Sequence, residues 1–316
     1  MPSTIDPDLL PFVDALNEAW AEFPNLDRLP LAEQRAAAEQ VRRRWTLGGP
    51  VMRRREDLTA PGPGRAVPIR LMSAADPGGL APVFVYLHGG GFTTFSLDTH
   101  DRIMREYAAR SGATVIGVDY ALSPEQRFPT ALHEVMAVLD WVTKTGQAQG
   151  IDPTRVAIGG DSAGANLALS ACLMRRDEGN APLSALLLAY GFFDDDFTGE
   201  SHRDHGGPGK LLTSTELGRY LDNYLGPAPY PDDPLALPAR AALHDLPPSF
   251  HIVAECDPLA DSDRRIAERM AGAGNMVRCK IYRGATHSFL EAVSIAPIAE
   301  RAVAESAAWL VERFSR

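Results

Sequence analysis

Cysteine is scarce. The 316 residues include three, Cys172, Cys256 and Cys279, an odd number without the short paired spacings of a metal site, so no disulfide framework is expected. Each falls within or at the edge of an expected helix or strand, and the three read as buried free thiols of a reducing compartment. Basic charge is short as well. Lys and Arg number 31 against 41 Asp and Glu, a formal net charge of −10, whereas nucleic acid or an anionic membrane surface requires a concentrated positive field. The clusters Arg42-Arg43-Arg44 and Arg53-Arg54-Arg55 are diluted by Glu39, Glu56 and Asp57 and are expected on solvated faces.

No apolar run is long enough to span a bilayer; the longest lies near "APLSALLLAYGFF". The opening "MPSTIDPDLLPFVDALNEAW" carries acids and no basic stretch before an apolar core, so no secretory leader is expected and the location expected is cytoplasmic. Also missing are a Ser-rich or charge-rich linker, an internal repeat, a G-x-G-x-x-G pattern and a phosphate-binding loop of the Walker type. No cofactor and no metal are expected. His202 and His205, three apart in "SHRDHGG" and near the acids at 194–196, would share a face only in a helix, and the surrounding glycines and prolines argue for a solvated loop.

What is present is an alternation of short β-branched runs with longer helical patterns, the mark of a mostly parallel sheet covered on both faces by helices. Strands are expected over 51–58, 66–72, 82–87, 113–120, 155–160, 184–190, 249–255 and 277–282, with helices near 98–111, 130–146, 162–176, 258–273 and 297–314. The first two strands are alternating and charged, as edge strands joined through "APGPG" would be; the later ones are nearly continuously apolar. Two stretches fall outside the alternation. Residues 1–48 read as N-terminal cap helices, and about 192–240 reads as a cap insertion with one short helix, "TSTELGRYLDNYL", within a catalytic domain of 49–316. Trp20, Phe23 and Trp45 are expected to pack this cap.

The stretch "VAIGGDSAGANLALS", 156–170, sets one serine among the smallest residues, between an apolar strand and a helix. At a sharp strand-to-helix turn, side chains two positions either side of the centre would collide with the neighbouring strand and helix, and Gly160 and Gly164 remove them. Gly160-Asp161-Ser162-Ala163-Gly164 is thus a G-x-S-x-G elbow that lifts a hydroxyl above the sheet; the competing reading is a serine that merely caps the helix. A serine nucleophile needs a base and an acid that orients it. His287 in "YRGATHSF" follows the last buried strand and is the candidate base. Asp257 in "AECDPLAD" is the preferred acid, with Asp261 and Glu255 as alternatives; Asp261 sits one helical turn on, and strand alternation turns Glu255 to the other side. For a tetrahedral oxyanion, "YLHGGGF" offers amides without intervening side chains: Gly89, Gly90 and Gly91, joined by Ala163 of the elbow, with Gly89 supporting the turn and His88 as a hydrogen-bonding brace.

"HGGG" ahead of "GDSAG", with "DYALSPEQRFP" between them and "DPLAD" and "GATHSF" after, resembles the hormone-sensitive-lipase-like (family IV) branch of the α/β hydrolases; residues 97–135 look closest to bacterial cytoplasmic acetyl esterases. The resemblance covers most of the chain from about residue 60. It implies an eight-stranded hydrolase with a helical cap that cleaves short acyl esters, acetyl to butyryl, with Ser162 as nucleophile, His287 as base and Asp257 orienting it. The partner implied is a small neutral acyl ester, and in this family the last strand and final helix often form a homodimer surface. An amidase or formamidase on the same triad, or an added regulatory protein-binding role, are the alternatives.

Overall fold

The computed structural model describes residues 4–76 and 78–315. Its centre is an eight-stranded sheet. The strands are β1 (Arg54–Pro61), β2 (Ala66–Ser73), β3 (Ala81–Leu87), β4 (Thr114–Val118), β5 (Ile151–Asp161), β6 (Ala185–Ala189), β7 (Ser249–Cys256) and β8 (Val277–Thr286). Their spatial order is β1-β2-β4-β3-β5-β6-β7-β8. Strand β1 pairs antiparallel with β2, and β2 with β4; every other pair is parallel. From β3 onward the carboxyl ends therefore share one edge, where ligands of open α/β sheets bind.

Between the strands run α3 (Asp101–Ser111), α4 (Thr130–Thr145), α5 (Ala163–Asp177) and α8 (Ala260–Gly272), and α9 (Pro297–Phe314) follows the last strand. Strand alternation divides the core. Val83, Val85 and Leu87 of β3 face a cluster containing Leu132, Val135 and Leu139 of α4, Leu167 of α5 and Ile266 of α8. Phe84 and Tyr86 face the opposite cluster, with Ile103 and Tyr107 of α3 and Val303 and Leu310 of α9. Each such side chain, fully withdrawn from water, contributes about 1.5–3 kcal/mol. Local signals set the helix ends: Gly112 closes α3 at φ 67°, and Pro297 opens α9.

Ahead of the sheet lie α1 (Leu10–Ala21) and α2 (Leu31–Arg42); within 192–240 lie α6 (Glu200–His205) and α7 (Ser214–Leu225). Thr213 caps α7 through a reciprocal exchange with Glu216. Helix α6 overturns the expectation of a loop around His202 and His205. Its glycines and its proline, Gly206 to Gly209, follow the segment instead of interrupting it, and Asp261 accepts from the Ser201 N–H at its start (2.8 Å). Trp45 meets Phe12 of α1 edge-on at 4.7 Å, and Trp20 and Phe23 pack half-buried alongside.

Other expectations also move. Strand β1 begins at Arg54, three residues late, and β5 begins at Ile151, four residues early. Arg42 is buried, not solvated: it pairs with Glu291 at 3.0 Å and stacks 5.0 Å from the Phe95 ring centroid. Cys172 and Cys256 are buried, but Cys279 is exposed on the edge strand β8. No helix among the described residues is long and apolar enough to cross a membrane.

Candidate active site

Ser162 stands between β5 and α5 with φ 54° and ψ −119°, a conformation that an L-residue holds only under strain. Close approach explains its glycine neighbours. A Cβ at Gly160 would lie 2.1 Å from the Leu87 carbonyl oxygen, and one at Gly164 would lie 2.0 Å from it. Both glycines thus let the elbow lie directly against the end of β3. The Ser162 hydroxyl makes no capping bond to α5, so the helix-cap reading of this serine fails and its oxygen is free for other chemistry.

His287 follows β8 and Asp257 follows β7, and the sheet order sets these loops side by side at the carboxyl edge. His287 Nδ1 donates to Asp257 Oδ2 at 2.7 Å, and Asp257, fully buried, accepts the Leu259 N–H through its other oxygen at 2.9 Å. A carboxylate that binds Nδ1–H fixes the tautomer and leaves Nε2 as the basic nitrogen. The two alternative acids have other partners: Asp261 holds α6, and Glu255 accepts the Gly284 N–H at 2.9 Å. The elbow and the histidine loop meet through β6. The Ala189 carbonyl accepts the Ser162 N–H at 2.9 Å, and the ring of the next residue, Tyr190, packs edge-on to His287 at 5.0 Å. No hydrogen bond joins the Ser162 hydroxyl to His287 among the described residues.

The glycine loop divides its labour. The Gly89 N–H donates to Asp161 Oδ1 at 3.1 Å, so Gly89 is a fixed support and not an oxyanion donor as expected. The amides of Gly90, Gly91 and Ala163 have no acceptor among the described residues. Gly90 and Gly91 have φ of 109° and 59°, and a Cβ on Gly91 would fall 2.2 Å from the Tyr220 ring of α7. Next to it, Phe92 stacks on Tyr224 of the same helix at 3.7 Å and 3°.

Asp161 anchors this loop from the elbow. Its Oδ1 also accepts the Tyr86 hydroxyl at 2.7 Å, and His100 lies 3.4 Å from its Oδ2. Burial opposes charge on both, but the His100 ring and its hydrogen bond hold the Asp161 carboxyl below the ordinary range, and Asp161 in turn holds His100 above it. His88 behaves as the expected brace. It is fully buried, its Nδ1 donates to the Gly89 carbonyl at 2.7 Å, and it stacks on Tyr120 at 4.4 Å; burial pushes its pKa down to about 3, which keeps it neutral. Tyr86, His100, Tyr190 and Tyr220 escape the sequence reading. Only Asp161 carried a signal, and only for Tyr86 and His100, since an acid inside a buried elbow requires a partner.

A second buried carboxyl lies behind the acid. Asp263 accepts the Gly191 N–H at 3.0 Å, and burial, reinforced by Asp257 and Asp194, raises it well above the carboxylate range.

Residues 84–291 match the model of a family described as having the alpha/beta hydrolase fold. Solved structures agree over nearly the whole chain. A hyperthermophilic esterase from the archaeon Pyrobaculum calidifontis is 30% identical, with 99% of both chains covered and a TM-score of 0.90. An ester hydrolase from the metagenome of Lake Arreo, complexed with a derivative of bipyridine phosphonate, is 28% identical over 99% of this chain and 100% of its own, at 0.92. A thermophilic carboxylesterase cloned from a metagenomic library is 29% identical over 90% of this chain and 98% of its own, at 0.87. With sheet order, elbow and family model in agreement, the chain belongs to the α/β-hydrolase-fold family.

Proposed function

We propose that the protein is a serine carboxylesterase that cleaves short-chain acyl esters, acetyl to butyryl, through an acyl-enzyme. The observation that carries this reading is the convergence at one sheet edge of a strained, non-capping Ser162, the His287–Asp257 pair at 2.7 Å and the unpaired amides of Gly90, Gly91 and Ala163. Solved relatives named as esterases support it.

With substrate bound, the Ser162 hydroxyl comes within hydrogen-bond reach of His287 Nε2, gives up its proton there and attacks the ester carbonyl. The oxyanion that forms is met by the free amides, each such donor being worth about 100- to 1000-fold in turnover. Collapse expels the alkoxide, which takes the proton from His287 and leaves as the alcohol. Water then repeats the sequence on the acyl-enzyme and releases the acid. Helices α1, α2, α6 and α7 act as the cap over this edge. Tyr220, pressed on Gly91, bounds the acyl side and is the basis for short chains.

The test is a series of p-nitrophenyl esters from acetate to octanoate, with a burst of one nitrophenol per enzyme and a rate that drops beyond butyrate. Near-normal turnover by Ser162→Ala overturns the assignment, and faster cleavage of anilides than of matched esters replaces it by an amidase.

A further inference from the structure

Beside His287 opens a cleft of about 430 Å³, within the size range of small-molecule sites. It is lined by Leu10 and Val13 of α1, His205 at the end of α6, Lys210 in the segment before α7, and Cys256 and His287. Neither Ser162 nor the glycine loop lines it. In ester cleavage the leaving oxygen takes its proton from the imidazole, so the part of the substrate beyond His287 is the alcohol.

The charge of this cleft runs against that of the molecule. No carboxylate lines it, and Lys210 is its one cationic side chain among the described residues. The chain has three lysines. Lys144 pairs with Asp140 at 3.0 Å and Lys280 pairs with Glu305, whereas Lys210 makes no ion pair among the described residues. Burial, with Lys210 nearby, outweighs the pull of Asp204, Asp257 and Glu255 and holds His205 below the ordinary histidine range, which disfavours its charged form. On a protein of net charge −10, an exposed lysine lining the cleft that no carboxylate pairs among the described residues attracts anions that the rest of the surface repels.

We infer that this cleft holds the alcohol half of the substrate and that Lys210 selects esters whose alcohol carries a carboxylate. This rests on the ester-hydrolase reading above and narrows the expected neutral ester to one whose acyl half alone is neutral.

Three acetates test it: phenyl acetate, 4-acetoxybenzoate and the (4-acetoxyphenyl)trimethylammonium ion, each measured on wild type, Lys210→Arg, Lys210→Ala and Lys210→Glu. Comparing variants cancels the intrinsic reactivity of the esters. The kcat/KM ratio of the anionic to the neutral ester is expected to fall about two- to fivefold in Lys210→Ala, the range for an exposed ion pair. The change sits in KM, shrinks with added salt, and is absent in Lys210→Arg. Lys210→Glu raises the ratio of the cationic to the neutral ester. Ratios unchanged by both Lys210→Ala and Lys210→Glu overturn the inference. Failure of the wild type to cleave any of the three esters faster than Ser162→Ala overturns the hydrolase reading itself, a result distinct from unchanged ratios.

Discussion

Replacing Asp161 separates the work of its shape from that of its charge. Asp161 is 4% exposed and accepts from Tyr86 and Gly89 while facing His100. Asp161→Ala strands two buried donors, each costing about 1–3 kcal/mol, and removes the carboxylate that faces His100. The expected loss is about 3–5 kcal/mol, the range for removing one partner of a buried pair. The loop carrying Gly90 and Gly91 also loses its anchor, so kcat should fall toward the 100- to 1000-fold set by a lost oxyanion donor. Asp161→Asn keeps an oxygen for Tyr86 and Gly89 and offers an amide to a neutral His100, so stability should change by no more than about 1 kcal/mol and kcat by less than about tenfold.

The pH dependence carries a sign. Asp161, held below 3.8, contributes stability above that value and loses it as pH falls through its lower folded pKa. His100, held above 6.5, contributes below that value and loses it as pH rises through its higher folded pKa. The pair therefore helps most between those limits, and the benefit over Asp161→Asn should shrink above pH 6.5. Urea denaturation across pH, with p-nitrophenyl acetate turnover, checks both. An alanine variant with wild-type midpoint and kcat would refute the anchoring argument.

Asp263 is raised well above 3.8, so the folded state loses stability relative to the unfolded state as pH climbs from that value toward the folded pKa. Asp263→Asn should raise the melting temperature at pH 7–8 with no gain near pH 4, a comparison that scanning calorimetry makes directly. Gly164→Ala forces a methyl to 2.0 Å from the Leu87 carbonyl. Overpacking costs about 1–3 kcal/mol, so the denaturation midpoint must fall; a rise from better helix propensity would show that the elbow has room to spare. Tyr220→Ala removes the ring against Gly91 and should improve hexanoate relative to acetate by about fourfold per methylene newly accommodated, while Tyr220→Phe keeps the wild-type chain-length profile in the same ester series.

Periodicity and turn chemistry made most of the fold readable, because short strands such as β4 and β6, buried along their whole length, admit no other placement. The elbow was readable for a related reason: Gly160 and Gly164 answer a local steric demand that any strand-to-helix turn of this kind makes. Contacts that join remote segments leave no such local mark. His100, at the start of an expected helix, carried no mark of the contact with Asp161 that folding makes. Arg42 looked solvated because its partners Glu291 and Phe95 lie far away in sequence. Gly89 seemed an oxyanion donor because the sequence could not say that its amide was already engaged, and α6 was missed because glycines that end a helix resemble glycines that prevent one.

Arg35 of α2 donates to the carbonyls of Thr93 (2.8 Å) and Ser123 (2.9 Å) while pairing with Glu125, and Asp6 N–H bonds the Gly284 carbonyl at 2.9 Å. The leading segment is thus sewn to the stretch after the glycine loop, to the segment after β4 and to the end of β8 ahead of His287. A protease that trims it would unpick those stitches first, yielding a fragment whose sheet endures while its chemistry goes silent.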